Sequence, residues 1–516
     1  MQLAFPAFSR NQNAPTCWGE VGLGLGKIQL NCRSRCGWFL LTPTKLSKIV
    51  NTSLYCHSLA RVALRVFAGL LGMTLLVSTA SAKKKFDESK LEFIDNGTIK
   101  LGVSLDLGGA ITYLSKSGHD QNVINNHDWG RQIQMSFFGG PVPYEEKGQK
   151  PKKHWAHIGW NPIQAGDDYG NGSQIVEFTK KETSLYVKCI PKQWPLNNIP
   201  GECTYESFVE LKGNTVEVRC RLVNARSDKI QYPGRHQELP AVYTNGEYYR
   251  LMTYRGDQPF TGDKLARIPK KVGGGFPWKY WLATENWAAL VNDDDWGLGI
   301  YKPNNSLFIG GFAGKEGRGG THDNATGYIA PLHTEILDHN ITYEYDYSLI
   351  LGSLDEIRGY ALEQAKGTTP PDWKFVSDRQ HWRYQANGGK GADAGWPIKG
   401  HLQLDLGKPG IAAISPPVLW HAKEAPVLFI EAAFKTERKE GMVAWTNYQA
   451  DGHNPAFKGE NQLRFDIIGD GKLRTYQIDL KSAPTYLGAL SYLMVKPVIE
   501  PDQGAWVKIK GIRLGK

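Results

Sequence analysis

The sequence predicts an all-β protein, a large antiparallel domain followed by a smaller β-sandwich, and three observations carry that prediction. Aromatic and glycine residues are abundant, 16 Trp, 23 Tyr and 57 Gly against 6 Met, and such residues suit strands and turns better than helices. Short apolar runs alternate with polar residues between turn signals such as Asn96-Gly97 and Lys212-Gly-Asn214. The best helix candidate, Leu354 to Lys366, is a short one, and Gly367-Thr-Thr-Pro-Pro371 ends it.

The elements follow in chain order. Residues 1–82 read as a leader: Arg61 and Arg65 precede an apolar run of 12 residues, Val66 to Val77, and then Ser78-Thr-Ala-Ser-Ala82. That run is too short to span a bilayer comfortably, and Ala80 and Ala82 fit a signal peptidase pocket. Cleavage after Ala82 is expected, with export to the periplasm or beyond and no stable membrane span afterwards; the alternative is an uncleaved anchor. The formal net charge of +10 sits mostly in this leader, which carries eight Lys/Arg against one acid, Glu20. Downstream, basic residues are interleaved with acids, so the concentrated basic face that nucleic-acid binding needs is missing. Four of the seven cysteines also lie in the leader, leaving Cys189, Cys203 and Cys220. A Cys189–Cys203 or a Cys203–Cys220 bridge is open to them, and no Cys-x-x-Cys metal spacing exists.

From Leu91 the chain alternates around Asn96-Gly97, a hairpin signal. Strands are expected at 184–190, 204–211, 215–223, 287–291, 297–301 and 342–351. The domain limits expected are 83–366 for the first domain, 367–374 for a linker and 375–516 for a sandwich closing with 505–514.

Three segments concentrate chemistry. Asn125-Asn-His-Asp-Trp-Gly-Arg-Gln132 offers His127 and Asp128 as acid or base, and Arg131 and Gln132 to orient hydroxyl or carboxylate groups. The alternative is a polar turn whose side chains satisfy their own backbone. The long stretch His154 to Ser173 places Trp160 and Gln164 in a cleft with Asp167 or Asp168 as a charged member; it reads equally as a packed Ω-loop, or as a calcium loop using Asp167, Asp168 and Asn171. In Tyr232-Pro-Gly-Arg-His-Gln-Glu238, His236 and Glu238 fall on one face of an extended strand, where they form an acid/base pair or a structural hydrogen bond, beside Arg235. Trp281 is the expected sugar-stacking residue of the Gly274–Trp287 segment. No serine elbow and no nucleotide loop is present.

Leu107-Gly-Gly-Ala-Ile-Thr-Tyr-Leu, Trp296-Gly-Leu-Gly-Ile-Tyr and the late Tyr-rich strand feeding a short helix resemble the galactose-mutarotase-like, or supersandwich, domain of aldose epimerases, glycoside hydrolases and polysaccharide lyases, over about residues 90 to 365. The epimerase catalytic His and Glu do not transfer position by position. Phe465-Asp-Ile-Ile-Gly-Asp-Gly to Leu480-Lys and Val507-Lys-Ile-Lys-Gly-Ile-Arg-Leu resemble a jelly-roll carbohydrate-binding module. Together these likenesses imply an exported polysaccharide-processing enzyme, a glycoside hydrolase before a lyase, with the second domain holding a polysaccharide or oligosaccharide. Glu238 and His236 then supply proton transfer and Asp128 the second carboxylate that glycosidases need. No cofactor and no metal site are expected apart from a structural calcium. The rivals are a non-catalytic glycan-binding envelope protein and a sugar epimerase.

Overall fold

The computed structural model describes residues 90–271, 277–365, 369–385 and 393–516. The leader and its cleavage site lie outside the described residues. The first hairpin pairs Leu91–Asp95 with Ile99–Ser104. Gly97 turns it at a φ of 81°, a conformation free of Cβ strain only for glycine. Asn96 Oδ1 accepts from the Thr98 and Ile99 amides at 3.0 and 2.9 Å.

Two large antiparallel sheets build the first sandwich. The nine-stranded sheet contains Trp296–Tyr301, Thr342–Ser353, Thr215–Asn224, Cys203–Lys212 and Ser184–Ile190 as neighbours. The seven-stranded sheet runs Lys279–Leu282, Leu307–Ala313, Thr326–Glu335, Arg235–Asn245, Gln134–Ser136, Pro162–Ile163, Lys192–Gln193. Alternation along each strand sends Val216, Val218, Leu222 and Tyr345 from the first sheet, and Leu239, Val242, Phe308 and Ile329 from the second, into one shared core.

The helix Leu354–Gln364 is capped as its sequence asks: Ser353 Oγ accepts from the Glu356 amide, and Glu356 Oε2 accepts from the Ser353 amide at 2.7 Å. Leu354, Ile357 and Ala361 pack it against Trp287, Ala289 and Val291. Gly299 makes room, since a Cβ there would lie 2.3 Å from Ile357 Cγ2.

The C-terminal module is a second sandwich with its own core, which holds Trp373, Trp382, Leu428, Trp445, Leu493 and Ile512. Its five-stranded sheet centres on Trp506–Gly515 and Val427–Lys435, and its six-stranded sheet on Ala489–Lys496 and Glu440–Asn447. Asp372–Lys374 already pairs with Trp506–Gly515, so the segment expected to be linker joins this sandwich at Asp372. Both sandwiches belong to one compact unit. Buried Arg379 of the module pairs with Asp338 of the first sandwich at 2.6 Å and with Asp393 at 2.7 Å, and the Leu282 amide donates to Ala450 O at 2.8 Å.

Cys189, Cys203 and Cys220 are free, buried thiols, so neither bridge left open by the sequence is formed. Burial pushes the Cys220 thiol up to about 12. Among the described residues no helix is long and apolar enough to cross a membrane.

Candidate active site

The site is built on the Arg235–Asn245 strand. Its neighbours in register are His236↔Thr334 and Glu238↔Leu332 on one face, and Gln237↔His333 on the other. Between Glu238 and Val242 the strand takes one residue more than its partner, a β-bulge. The bulge takes up Pro240, which has no amide hydrogen for the ladder. It also places Ala241 and Tyr243 in the same aromatic cluster as Trp278, Tyr328 and Leu332, on the face away from the main core.

Glu238 is 6% exposed. Its Oε1 accepts from the Tyr328 hydroxyl at 2.6 Å, and Ser136, opposite it on the neighbouring strand, also donates. Burial pushes this carboxyl up to about 7, because the loss of water outweighs the two hydroxyl donors, and among the described residues no cation pairs with it. A carboxyl poised near neutrality is suited to giving or taking a proton. Tyr328 is held between Tyr243 and Trp278, with ring centroids 4.7 and 4.9 Å away. Burial, with Glu238 close by, pushes the Tyr280 hydroxyl up to about 12.

His236 shares the face as expected, but it does not bond Glu238. Its Nδ1 meets Thr334 Oγ1 at 3.0 Å. Burial, followed by the nearness of Arg383, His453 and Arg235, pushes its imidazole down to about 4, so it is neutral at neutral pH. The structural alternative of a His236–Glu238 bond is therefore not what forms. The C-terminal module reaches this place: His453 stacks on Tyr280 at 4.3 Å, and Tyr280 in turn lies 5.8 Å from His236.

The Asn125–Gln132 turn largely satisfies itself. Asp128 accepts from the Gly130 amide and pairs with Arg131 Nε at 3.2 Å. The Arg131 guanidinium also donates to Asn324 O and Oδ1 at 3.0 and 2.9 Å, and Gln132 Nε2 donates to Asp128 O at 2.8 Å. His127 Nδ1 contacts His322 O at 2.9 Å. Arg131 and Gln132, expected to orient substrate, instead hold the turn and dock it on the 322–325 loop. The turn still borders the site, since Glu238, Arg131 and Asp128 all act on the Tyr243 hydroxyl.

Four other expected binding residues are placed elsewhere. Trp160 and Trp281 are fully buried in the main core, so neither offers a face to a sugar. At Trp281 the cause is alternation: Tyr280 and Trp281 are adjacent, so one faces the site and the other the core. Gln164 spans the backbone, accepting from the Met135 amide at 3.1 Å and donating to Gly108 O at 3.0 Å. Arg235 donates to Ile158 O at 2.6 Å and Gly139 O at 3.2 Å, clamping a loop.

The acids of the 154–173 stretch are likewise committed. Asp168 pairs with Lys152 at 2.6 Å. Buried Asp167 accepts from the amides of Tyr169, Asn171 and Asn198 and from Asn171 Nδ2, at 2.7–3.0 Å. A carboxylate ringed by N–H donors is a loop organiser and not a calcium ligand.

Trp278 and Tyr280 belong to the aromatic 274–287 segment that the sequence marks, whereas Ser136, Tyr243 and Tyr328 carry no mark in it. Alternation along 326–335 would have put Tyr328 on the face of Leu332, but only the register relates that face to Glu238. A pit of about 40 Å³ opens at Glu238, lined by Ser136, Phe138, Trp155, Trp194 and Tyr243. It has room for water or a hydroxyl group, not for a sugar ring. A larger cavity of about 840 Å³ lies between the two sandwiches, on residues including Asn304, Glu335, Tyr343, Trp373 and His381. Volume alone favours the second; the perturbed acid and its hydroxyl donors favour the first as the place of proton chemistry. Among the described residues, one group has metal-ligand types close together, His333, Glu335 and His381.

No protein family and no curated protein matches the sequence. Among solved structures, the chain is similar to a galactose mutarotase related enzyme from Lactobacillus acidophilus, with 14% identity, 51% of this chain and 97% of that one covered, and a TM-score of 0.35. It is similar to a galactose mutarotase-like protein from Lactobacillus casei, with 11% identity, 51% and 99% covered, and a TM-score of 0.32. A 4-alpha-glucanotransferase from Thermococcus litoralis is 13% identical, with 52% and 38% covered and a TM-score of 0.29.

Proposed function

We propose that this protein is an exported carbohydrate-active enzyme that acts on a polysaccharide or oligosaccharide through proton transfer at Glu238. The observation that carries the reading is a carboxyl pushed up to about 7, bonded only by hydroxyl groups, at the base of a pit walled by aromatic side chains. The pit admits a hydroxyl group of a sugar whose ring stays outside it, and a carboxyl that is half protonated at neutral pH suits proton transfer to or from such an oxygen.

Within this reading the enzyme is a glycoside hydrolase: Glu238 is the acid and Asp128, held beside Arg131, is the second carboxylate across Tyr243. Tyr328 and Ser136 orient Glu238, and the neutral His236 contributes a lone pair or N–H to a hydroxyl. A second reading, proton abstraction by a lyase or an epimerase, is favoured by one feature: of the two carboxyls, Asp128 is engaged by Arg131 and by the Gly130 amide, whereas Glu238 is bonded by hydroxyl groups.

A panel of polysaccharides, read for reducing ends, for unsaturated-product absorbance and for binding, separates the readings. New reducing ends without unsaturation support the hydrolase, and unsaturation supports the lyase. Glycan retention without products moves the assignment to a binding protein. In the active case Glu238→Gln lowers kcat by roughly 10²–10⁴-fold, the range of general acid catalysis, with glycan binding kept. Full activity of that variant removes Glu238 from the mechanism.

A further inference from the structure

The opposite face of the same strand pair carries a second constellation. His333 and Glu335 stand two apart on the Thr326–Glu335 strand and so share a face, the one away from Glu238. His381 comes from the C-terminal module, in a turn where Gln380 and His381 both have positive φ, 45° and 64°. Two consecutive side-chain-bearing residues in the left-handed region are costly and persist only where surrounding contacts hold them. Here the turn brings the His381 ring within 3.6 Å of the His333 ring, and its Nδ1 bonds Glu335 Oε1.

The bonding of His333 is what points to a ligand. The residue is 2% exposed. Its Nε2 faces the carbonyl of Asn304 at 3.4 Å, so the ring hydrogen belongs on Nε2. Nδ1 then carries a bare lone pair, and among the described residues it has no hydrogen-bond partner. Glu335 Oε1 lies 3.8 Å from it, so two acceptors face each other across a buried gap. A cation placed between them turns that mismatch into coordination. Two neighbours match what metal-binding histidines and carboxylates have around them, a backbone carbonyl on the far ring nitrogen of His333 and the Tyr343 hydroxyl donating to Glu335 Oε1 at 3.0 Å, while buried Lys302, which burial pushes down to about 8, also acts on both residues.

We propose that His333, Glu335 and His381 form a binding site for one divalent transition metal of the zinc class, which ties the first sandwich to the C-terminal module. Two imidazoles and one carboxylate are a zinc ligand set, and bonds of about 2.0–2.1 Å in tetrahedral geometry place ligand atoms roughly 3.3 Å apart. The ligand atoms here already lie within 4.8 Å of one another, and a small opening of the His381–Glu335 contact completes the set. Binding moves the His381 hydrogen from Nδ1 to Nε2 and needs no other covalent change. Three protein ligands leave a fourth position, and Glu335 and His381 line the cavity of about 840 Å³, so that position opens to water or to an oxygen donor bound there.

The test is titration of the full chain with Co²⁺ and with Zn²⁺, read by calorimetry and by the visible spectrum of bound cobalt, for wild type, His381→Ala and Glu335→Gln. His381 is partly exposed, so its removal leaves the cores intact, and far-ultraviolet circular dichroism checks folding of each variant. The proposal requires that wild type bind one equivalent more than folded His381→Ala, with a cobalt spectrum of nitrogen and oxygen ligands that the variant lacks. Equal stoichiometry in wild type and folded His381→Ala overturns it, as does an extra equivalent whose spectrum shows thiolate ligation.

Discussion

The Asn125–Gln132 turn and the Arg235–Asn245 strand both border Tyr243, yet they treat polar side chains in opposite ways. In the turn every charge has a near partner: Asp128 has Arg131 and an amide, and Arg131 has Asn324 as well. In the strand, Glu238 is buried with only hydroxyl donors, and its carboxyl is pushed up to about 7. The turn looks more like a site in the sequence because it is dense in polar residues. Density, however, is what self-satisfaction requires, and a group whose solvation is unmet is a better mark of chemistry.

The comparison can be sharpened by substitution, beginning with the largest effect. Trp281→Ala is expected to cost roughly 3–5 kcal/mol in urea unfolding, the range for truncating a buried tryptophan, whereas Tyr280→Phe, one residue away on the site face, should leave stability nearly unchanged and alter turnover. A loss of several kcal/mol in Tyr280→Phe would mean that its hydroxyl makes a buried structural bond.

Glu238→Gln tests the unmet solvation itself. The folded carboxyl titrates about 7 and the unfolded one about 4.5, so below 4.5 both states hold the proton and the group costs nothing. As pH rises from 4.5 to 7 the unfolded chain releases its proton first and wild-type stability falls, with the full cost present above 7. Glutamine removes that cost, so the variant should gain on wild type across this window, by about 3 kcal/mol at pH 8 for a shift of that size. A pH-independent difference would mean that Glu238 is solvated like an ordinary carboxylate.

A smaller effect belongs to Asp167, the organiser of the 167–171 turn. Its replacement by alanine strands four N–H donors and should cost roughly 1.5–3 kcal/mol, the range for a bond to a charged group, with kcat/KM of the folded protein unaltered. A loss of activity without a loss of stability would return the loop to the active site.

The fold was largely legible because strands and turns are local: the Asn96-Gly97 hairpin, the 184–190 and 287–291 strands and the capped helix at Leu354 all follow from period and turn chemistry. The shared face of His236 and Glu238 was legible from alternation along the strand, and the neighbours of Glu238 were not. Tyr328, Ser136 and Tyr280 come from three other strands, and only register and the bulge after Glu238 bring them together. The burial of Trp160 and Trp281 was illegible because an aromatic side chain carries no sign of which sheet face it occupies. The metal-ligand group was illegible for a similar reason: His381 lies in a different sandwich from His333 and Glu335, with no short spacing to mark it.

The most direct measurement is the titration of Glu238 itself, by carbon NMR of carboxyl-labelled protein with Glu238→Gln assigning the resonance. A midpoint near 7 is the predicted result and supports a buried acid poised for proton transfer. A midpoint near 4.5 would contradict the account, since the carboxyl would then be an ordinary ionised group and the site would have no proton donor.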